Sequence, residues 1–458
     1  MKAADIKKWQ REKKMRKAMN EPRAAVIGGG LAGCEAAWQL ARYGIHVQLT
    51  EMKPGKKSPA HHTDRLAELV CSNSFRGDQL TNAVGLLKEE MRQTGSLIMK
   101  CADETRVPAG GALAVDRNLF SEKVTQMITS HPLITLIRQE SVTIPDGPAV
   151  IATGPLTSDA MAAAIQSLPG LSTLHFYDAA APIVMKDSLD ESKLFRLSRY
   201  HRGNDYLNSP MNEEEYSKFI QELIHAETAE IHGFEEKKVF EGCMPIESMA
   251  KRGYMVPAFG PMKPVGLADP RTGKEPFAVV QLRQDNADDT MYNIVGFQTR
   301  LKFPEQKRVF GLIPGLEHAE YARFGVMHRN TFLNSPGFLN SHFEMITRKH
   351  CYFAGQMTGV EGYVESAASG LVAGISLAFQ LNGMEPPVFP SFTALGAMGK
   401  HVSSAQSDFQ PMNCSFGLID PLPVRPGQKR IRNKQERYQA VSERSLAYIR
   451  KMNLQTGG

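Results

Sequence analysis

The alternation of apolar and polar positions divides the chain into stretches of different character. Residues 1 to 20 carry charge without a clear apolar face and read as a charged helix ahead of the first strand. At Ala24 the pattern changes to a short apolar run through Ile27. Gly28, Gly29, Gly30, Leu31, Ala32 and Gly33 follow, and then a helical stretch that closes near Gly44. This is the order strand, glycine turn, helix, C-cap. A second strand, Ile45 to Thr50, ends on Glu51. Further strands are expected over Ala109 to Val115 and at Val150 to Thr153, the second stopped by Gly154 and Pro155, with a helix over Leu119 to Ile128 behind an Asp116 cap.

Near residue 174 the chain turns polar, aromatic and proline-rich and stays so to about residue 335. One strong helix stands there, Glu213 to Ala226, with Tyr216, Phe219, Ile220, Leu223 and Ile224 on one stripe and Glu213, Glu214 and Glu215 favoured in its first turn. A short helix, Ile246 to Arg252, is bracketed by Pro245 and Gly253. Close to residue 350 the strand-and-glycine pattern of the N-terminal part returns in Tyr352 to Gly355, a loop with Gly359 and Gly362, and a small-residue helix from Val364 to Phe379. The last helix, Lys434 to Met452, sets Tyr438, Val441, Tyr448, Ile449 and Met452 on one side. The expected organisation is a basic extension over 1–21, a nucleotide-binding domain in two parts, 22–173 and 336–458, and an α+β insertion over 174–335.

Charge sharpens this picture at the two ends. Residues 1 to 23 hold nine Lys and Arg against Asp5, Glu12 and Glu21, and residues 421 to 458 hold nine against Glu436 and Glu443, while the middle is mildly acidic. Basic ends of this kind suit an anionic polymer or are simply solvated helices. With 458 residues, 42% of them hydrophobic, the chain can bury a full core. Its start lacks the apolar stretch of a signal peptide, and no long apolar run is expected to cross a membrane. Six cysteines stand singly, with no pairing of Cys or His at metal-ligand spacing. Reduced thiols in a cytoplasm and no metal are the expectation.

The chemistry starts at the glycine turn. Gly28, Gly30 and Gly33 follow a strand, open a helix and precede an acid at Glu51, the context that gives this spacing meaning. Glycine lets the backbone approach a pyrophosphate, whose charge rests on the helix N-terminus, and Glu51 is placed to accept from a ribose hydroxyl. A dehydrogenase using NAD competes with a flavoprotein on these residues alone. The second glycine-rich turn, Gly355 to Gly370, far along the chain and feeding a helix, favours the flavoprotein, because such a helix start faces the flavin when the nucleotide domain is split. The fold class expected is α/β, a doubly wound Rossmann-like FAD-binding domain of the glutathione-reductase type with an inserted α+β domain.

The segments VIGGGLAGCEAAWQLA, LTEMKP, ELVCSNSFRG, VPAGGALAVDR, FEGCMPIE and YFAGQMTGVEGYVESAASG, spread over residues 26 to 370, resemble the folate-dependent tRNA uracil-5 methyltransferase family, which is related to the FAD-dependent proteins that modify the tRNA wobble uridine. The resemblance implies an enzyme that binds FAD, takes carbon from 5,10-methylenetetrahydrofolate, is reduced by NAD(P)H and forms 5-methyluridine at the T-loop uridine of tRNA. It also implies roles for three residues. The family's cysteines in its Gly-Cys-Met-Pro and Cys-Ser-Asn-Ser motifs fall on Cys243 and Cys71, and its flavin-stacking tyrosine falls on Tyr363. A sister group of similar sequence acts on ribosomal RNA, and a flavin-binding RNA chaperone is a third reading.

Apart from the resemblance, Cys243 stands at the mouth of the short helix Ile246 to Arg252, where a thiol is more readily ionised. Uracil C5 becomes nucleophilic once a thiolate has added to C6, so the reaction needs such a group. Cys71 leaves the apolar pair Leu69 and Val70 for a polar loop with Arg76 nearby, which fits either a flavin-adjacent or a core position. Cys34 and Cys351 read as small core residues. His61 and His62 read first as loop residues and second as contacts for folate or phosphate.

Overall fold

In the computed structural model the described residues are 23–454 other than 59, 172, 200–202, 230–243, 326, 407–408, 424–430 and 453. The charged helix expected before residue 21 therefore lies outside them. The first lobe is built on a five-stranded parallel sheet in the spatial order Cys351–Phe353, Ala149–Ile151, Arg23–Ile27, His46–Glu51, Ile134–Arg138. The strand Arg23–Ile27 thus lies between the strand that follows it and two that come much later. In such a sheet the crevice beyond the strand ends, where the order reverses, receives the ligand.

The helix Leu31–Arg42 follows the first strand, and Tyr363–Leu381 packs against it. The approach is close: a Cβ on Gly370 would come within 2.2 Å of the Ala32 carbonyl oxygen. By length and composition Tyr363–Leu381 could cross a membrane, but here it is the central helix of the core, buried from Val364 to Ala378. Cys34 and Cys351 are fully buried, as expected. Two buried carboxylates cap helices that arrive from elsewhere: Glu35 accepts from Ile98 N at 2.9 Å, and Glu90 from Ala394 N at 2.7 Å.

A six-stranded antiparallel sheet makes the second lobe, in the order Phe195–Arg196, Tyr206–Met211, Ala278–Gln284, Met291–Ile294, Ile183–Met185, Tyr321–Arg323. Its helix Glu213–His225 starts at a capping box between Asn212 and Glu215 and buries Tyr216, Phe219, Ile220 and Leu223, four of the five stripe positions. The helices Ile246–Arg252 and Phe303–Phe310 pack there too, the second without an expectation from the sequence. Strands Thr173–Ala179 and Met327–Leu333, the two passages between the lobes, pair with each other in antiparallel register.

Three expectations need correction. The strand expected from Ala109 begins only at Ala112, because Gly110 turns the chain at φ +58°. The small-residue helix is longer than expected at both ends, Tyr363–Leu381. The final helix, Lys434–Met452, buries Val441, Ser442, Ser445, Leu446 and Ile449, so two serines and Leu446 take the inner face in place of Tyr438, Tyr448 and Met452.

Candidate functional site

The glycine turn is shaped by contacts that tolerate no side chain. Gly28 sits at φ +104°, and a Cβ there would meet the Ala152 carbonyl oxygen at 2.4 Å. A Cβ on Gly33 would lie 1.8 Å from the Gly28 carbonyl oxygen, so the helix rests directly on the turn. Glu51 fixes the turn from the next strand: its carboxylate accepts from Gly29 N at 2.7 Å and from Lys53 N at 3.0 Å. Gly30 differs from its neighbours. It is the N-cap of Leu31–Arg42 with φ −77°, no side chain caps the helix, and a Cβ added to it would meet nothing within 4 Å.

The space beside Gly30 is a cleft of about 990 Å³. Gly28, Gly29, Gly30, Leu31, Ala32, Glu51, Gly355 and Tyr363 all line it. Gly33 does not, since its part is the packing just described. Sequence reading passed over the opposite wall, Thr153 to Ser158, although Gly154 and Pro155 after an apolar strand marked the carboxyl end of the strand at the reversal. His61 also lines the cleft. Burial, and after it the charge of Lys53, lowers its imidazole to about 4, which leaves the ring neutral at pH 7. An uncapped helix start facing open space, a glycine where a side chain would fill that space, and an acid on the next strand together fit the pyrophosphate and ribose of a dinucleotide such as FAD.

At the far end of the cleft the two lobes meet around the loop Leu69–Asn73. Tyr363, the first residue of its helix, accepts through its phenol oxygen from Cys71 N at 2.7 Å and from Ser72 N at 3.1 Å. Burial and the neighbouring Cys71 thiol raise the phenol well above its ordinary value, so it stays protonated. Arg283 reaches in from the second lobe and donates to Ser72 Oγ at 2.7 Å and Asn73 Oδ1 at 3.0 Å. Arg117 donates to the Leu69 carbonyl and holds Asp285 with two hydrogen bonds, at 3.0 and 3.2 Å. Asp116 accepts from Asn118 N and Leu119 N, the expected cap, and from Ala287 N of the second lobe. Arg76, in the strand Ser74–Gly77 that follows the loop, pairs with the buried Glu365 in the first turn of the tyrosine's helix.

Cys71 and Tyr363, read from separate motifs, are thus in direct contact, and Cys71 is half-buried. Cys243 lies outside the described residues. Its neighbour Pro245 is the N-cap of the helix Ile246–Arg252, and Gly253 ends it, as expected. His62 is exposed and lines a second cleft. Arg117, Arg283 and Asp285 were missed by sequence reading: Arg117 was overlooked although it closes the segment VPAGGALAVDR directly after the Asp116 cap, and nothing local distinguishes Arg283 and Asp285 from surface charges.

The family described as glucose inhibited division protein A matches residues 23–385. A protein of Listeria innocua named methylenetetrahydrofolate–tRNA-(uracil-5-)-methyltransferase TrmFO is 58% identical over 429 residues, which span 93% of this chain and 98% of that one. A relative of the same name from Lactobacillus acidophilus is 60% identical over 427 residues, 93% of this chain and 97% of the relative. Among solved structures, GidA of Aquifex aeolicus superposes with a TM-score of 0.68 at 17% identity, covering 96% of this chain and 74% of that chain, a likeness of fold. Matched along nearly its whole described length, with its glycine turn and both cleft walls inside the matched region, the chain belongs to the glucose inhibited division protein A family and, within it, to the folate-dependent tRNA uracil-5-methyltransferases.

Proposed function

We propose that this protein is a methylenetetrahydrofolate–tRNA-(uracil-5-)-methyltransferase that methylates C5 of the T-loop uridine. Carbon comes from 5,10-methylenetetrahydrofolate and two electrons from NAD(P)H. The observation that supports this most strongly is identity of 58 to 60% to relatives of that name over 93% of the chain. In this reading residues 22–173 and 336–458 form the FAD-binding domain and 174–335 the insertion.

A flavin held in the first cleft supplies the redox chemistry and the carbon relay, which the protein cannot provide itself. The chain's own residues bind, orient and activate. The turn from Gly28 to Gly33 holds the pyrophosphate at the start of Leu31–Arg42, and Glu51 accepts from a ribose hydroxyl. Gly355 flanks the helix start beside Ala32, and Tyr363 closes the other end of the cleft. Cys243 serves as the nucleophile: its sulfur bonds to uracil C6, the C5–C6 π pair moves onto C5 and O4, and C5 attacks the donated carbon. Loss of the C5 proton, cleavage of the bond between the carbon and its donor and delivery of a hydride equivalent drawn from NAD(P)H complete the methyl group, and departure of the thiolate restores the C5–C6 double bond. Cys71, fixed by Tyr363, lies beside the reacting groups as the proton-transfer partner. The exposed cations Arg432, Lys434, Arg437, Arg450 and Lys451 on and before the last helix contribute to the RNA surface.

Purified enzyme should form methyl groups in tRNA only when methylenetetrahydrofolate is supplied, with no requirement for S-adenosylmethionine. RNA carrying 5-fluorouridine at the target blocks the final elimination, so wild type should give a denaturation-resistant complex that Cys243→Ala loses. A complex that persists in Cys243→Ala and disappears in Cys71→Ala reverses the two assignments.

A further inference from the structure

Beside the first cleft lies a second one, of about 1200 Å³, and Glu68 stands in the walls of both. The second cleft is walled by both lobes, with His62 and Arg117 on one side and Phe303, Arg323 and Phe324 on the other. Most charges there are satisfied within the protein. Asp285 takes Arg117, and Lys53 takes Glu68. Arg323 is the exception. One of its terminal nitrogens donates to the Ala60 carbonyl at 3.1 Å, while its buried Nε–H has no hydrogen-bond partner among the described residues. Among the described residues no carboxylate lies within ion-pair distance of it.

Burying a guanidinium with an unused donor and no counter-charge is unfavourable. Here the charge of Arg117 adds repulsion to the cost of burial, and both weaken the proton's hold on Arg323. Three cations, Arg117, Lys53 and Arg323, face two carboxylates, Asp285 and Glu68, which leaves the site short of one negative charge.

The wall next to Arg323 is aromatic. Phe324 stacks on Phe303 at 4.6 Å between centroids and on Tyr321 at 4.7 Å, nearly parallel in both cases. Phe303 ends this shelf with half its surface in solvent. A large exposed ring at the mouth of a cleft is a feature of binding surfaces, since stacking a further ring there removes apolar area from water.

We propose that the second cleft anchors the tail of the reduced folate, with a tail carboxylate on Arg323 and the p-aminobenzoyl ring against the Phe303–Phe324 shelf. This rests on the reading that the chain uses methylenetetrahydrofolate. The tail offers what the cleft is short of, a flat benzoyl ring joined to a glutamate that is ionised at neutral pH. Glu68 stands in the walls of both clefts, so a folate held by its tail here extends its pterin toward the cleft that Tyr363 lines. A nicotinamide nucleotide suits the site less well. Its anionic part is a pyrophosphate, which calls for backbone N–H groups of the kind the glycine turn presents.

The test measures equilibrium binding to FAD-loaded enzyme, under anaerobic conditions, of tetrahydrofolate and of 6-methyltetrahydropterin, which lacks the tail. Arg323→Gln should weaken tetrahydrofolate by about tenfold or more, the loss of one charge-assisted contact, and leave the pterin within about twofold. Arg323→Lys should recover part of that loss. Phe303→Ala, at a half-exposed position and with retained flavin content as the check on its fold, should weaken tetrahydrofolate several-fold and the pterin not at all. The proposal is overturned if Arg323→Gln weakens both ligands equally, if it weakens neither, or if the loss falls on NADPH instead. Should Arg323→Gln fail to hold FAD, Phe303→Ala decides: unchanged tetrahydrofolate affinity in that variant sinks the anchor. Wild-type enzyme that holds FAD yet binds no reduced folate is a different failure, and it removes the proposed function itself.

Discussion

The two ends of the first cleft are built from different materials. At the glycine turn the surface is backbone: Gly28, Gly30 and an uncapped helix start face the open space, and the Glu51 carboxylate is tied to Gly29 N and Lys53 N. At the lobe junction the surface is side chain, with the Tyr363 phenol, the Arg283 guanidinium and the Arg117–Asp285 pair converging on the loop Leu69–Asn73. A backbone surface is specified as soon as strand and helix form, because steric contacts alone fix it. A side-chain network exists only after both lobes have docked, and its strength depends on every member being satisfied. The first kind of surface should therefore fail by steric clash, the second by leaving a buried charge or donor unpaired.

The largest effect separates two glycines of one turn. Gly33→Ala places a methyl group 1.8 Å from the Gly28 carbonyl oxygen, a backbone atom, so strand and helix must part. The expected cost is about 3 kcal/mol or more, read as a fall in melting temperature and poor yield. Gly30→Val meets no neighbour at its Cβ and has an ordinary φ of −77°. Its melting temperature should stay close to wild type while the flavin content of the purified protein drops sharply. Full flavin occupancy in Gly30→Val would falsify the placement of the pyrophosphate beside Gly30.

At the junction, Arg117→Met leaves Asp285, a side chain 2% exposed, without its partner and frees the Leu69 carbonyl. Breaking a buried pair from one side costs about 3–5 kcal/mol in chemical denaturation, and the double variant Arg117→Met/Asp285→Leu should recover most of that. A loss under about 1 kcal/mol in the single variant means that the lobes are held together by something else.

These two ends also differ in how far the sequence reveals them. The glycine turn was legible because its spacing is local: strand, glycines, helix and the acid Glu51 all fall within about thirty residues. The helices Glu213–His225 and Lys434–Met452 were legible from their periodicity, but the inner face of the second was not. Ser442 donates to the Leu80 carbonyl and Ser445 to Glu90, so small polar residues took the buried positions that the tyrosines were expected to fill. The strand Ala278–Gln284 escaped detection because every position is buried, including Gln281, Arg283 and Gln284, which removes the alternation a half-buried strand would show. Arg117 and Arg283 find their partners 168 and 210 residues away, and no window along the chain connects them.

His61 gives a pH test at the nucleotide end. Its folded-state value is about 4 against an ordinary 6.5, chiefly through burial. A histidine lowered in this way contributes stability above pH 6.5, and the contribution is lost as pH falls from 6.5 toward 4. The full difference amounts to roughly 3 kcal/mol at most. Denaturation of wild type at pH 7, 6, 5 and 4 should show that loss, and His61→Gln should flatten it. Parallel curves for the two proteins mean that the imidazole is solvated.

Tyr363→Phe is the gentlest change and the most direct probe of the junction. The ring stays, so whatever packs against its face keeps that contact; only the oxygen that accepts from Cys71 N and Ser72 N is removed. Both donors lie in a part-buried loop, and leaving them unpaired costs about 1–2 kcal/mol after water reaches one of them. Arg283 still holds Ser72 Oγ and Asn73 Oδ1, so the loop stays attached while its cysteine end loosens. The expected outcome is a small fall in melting temperature, flavin content equal to wild type, retained trapping by 5-fluorouridine RNA and a clear fall in kcat. That combination assigns the phenol to positioning Cys71. Wild-type kcat and wild-type stability together would mean that water replaces the phenol at no cost, and that the junction depends on its arginines alone.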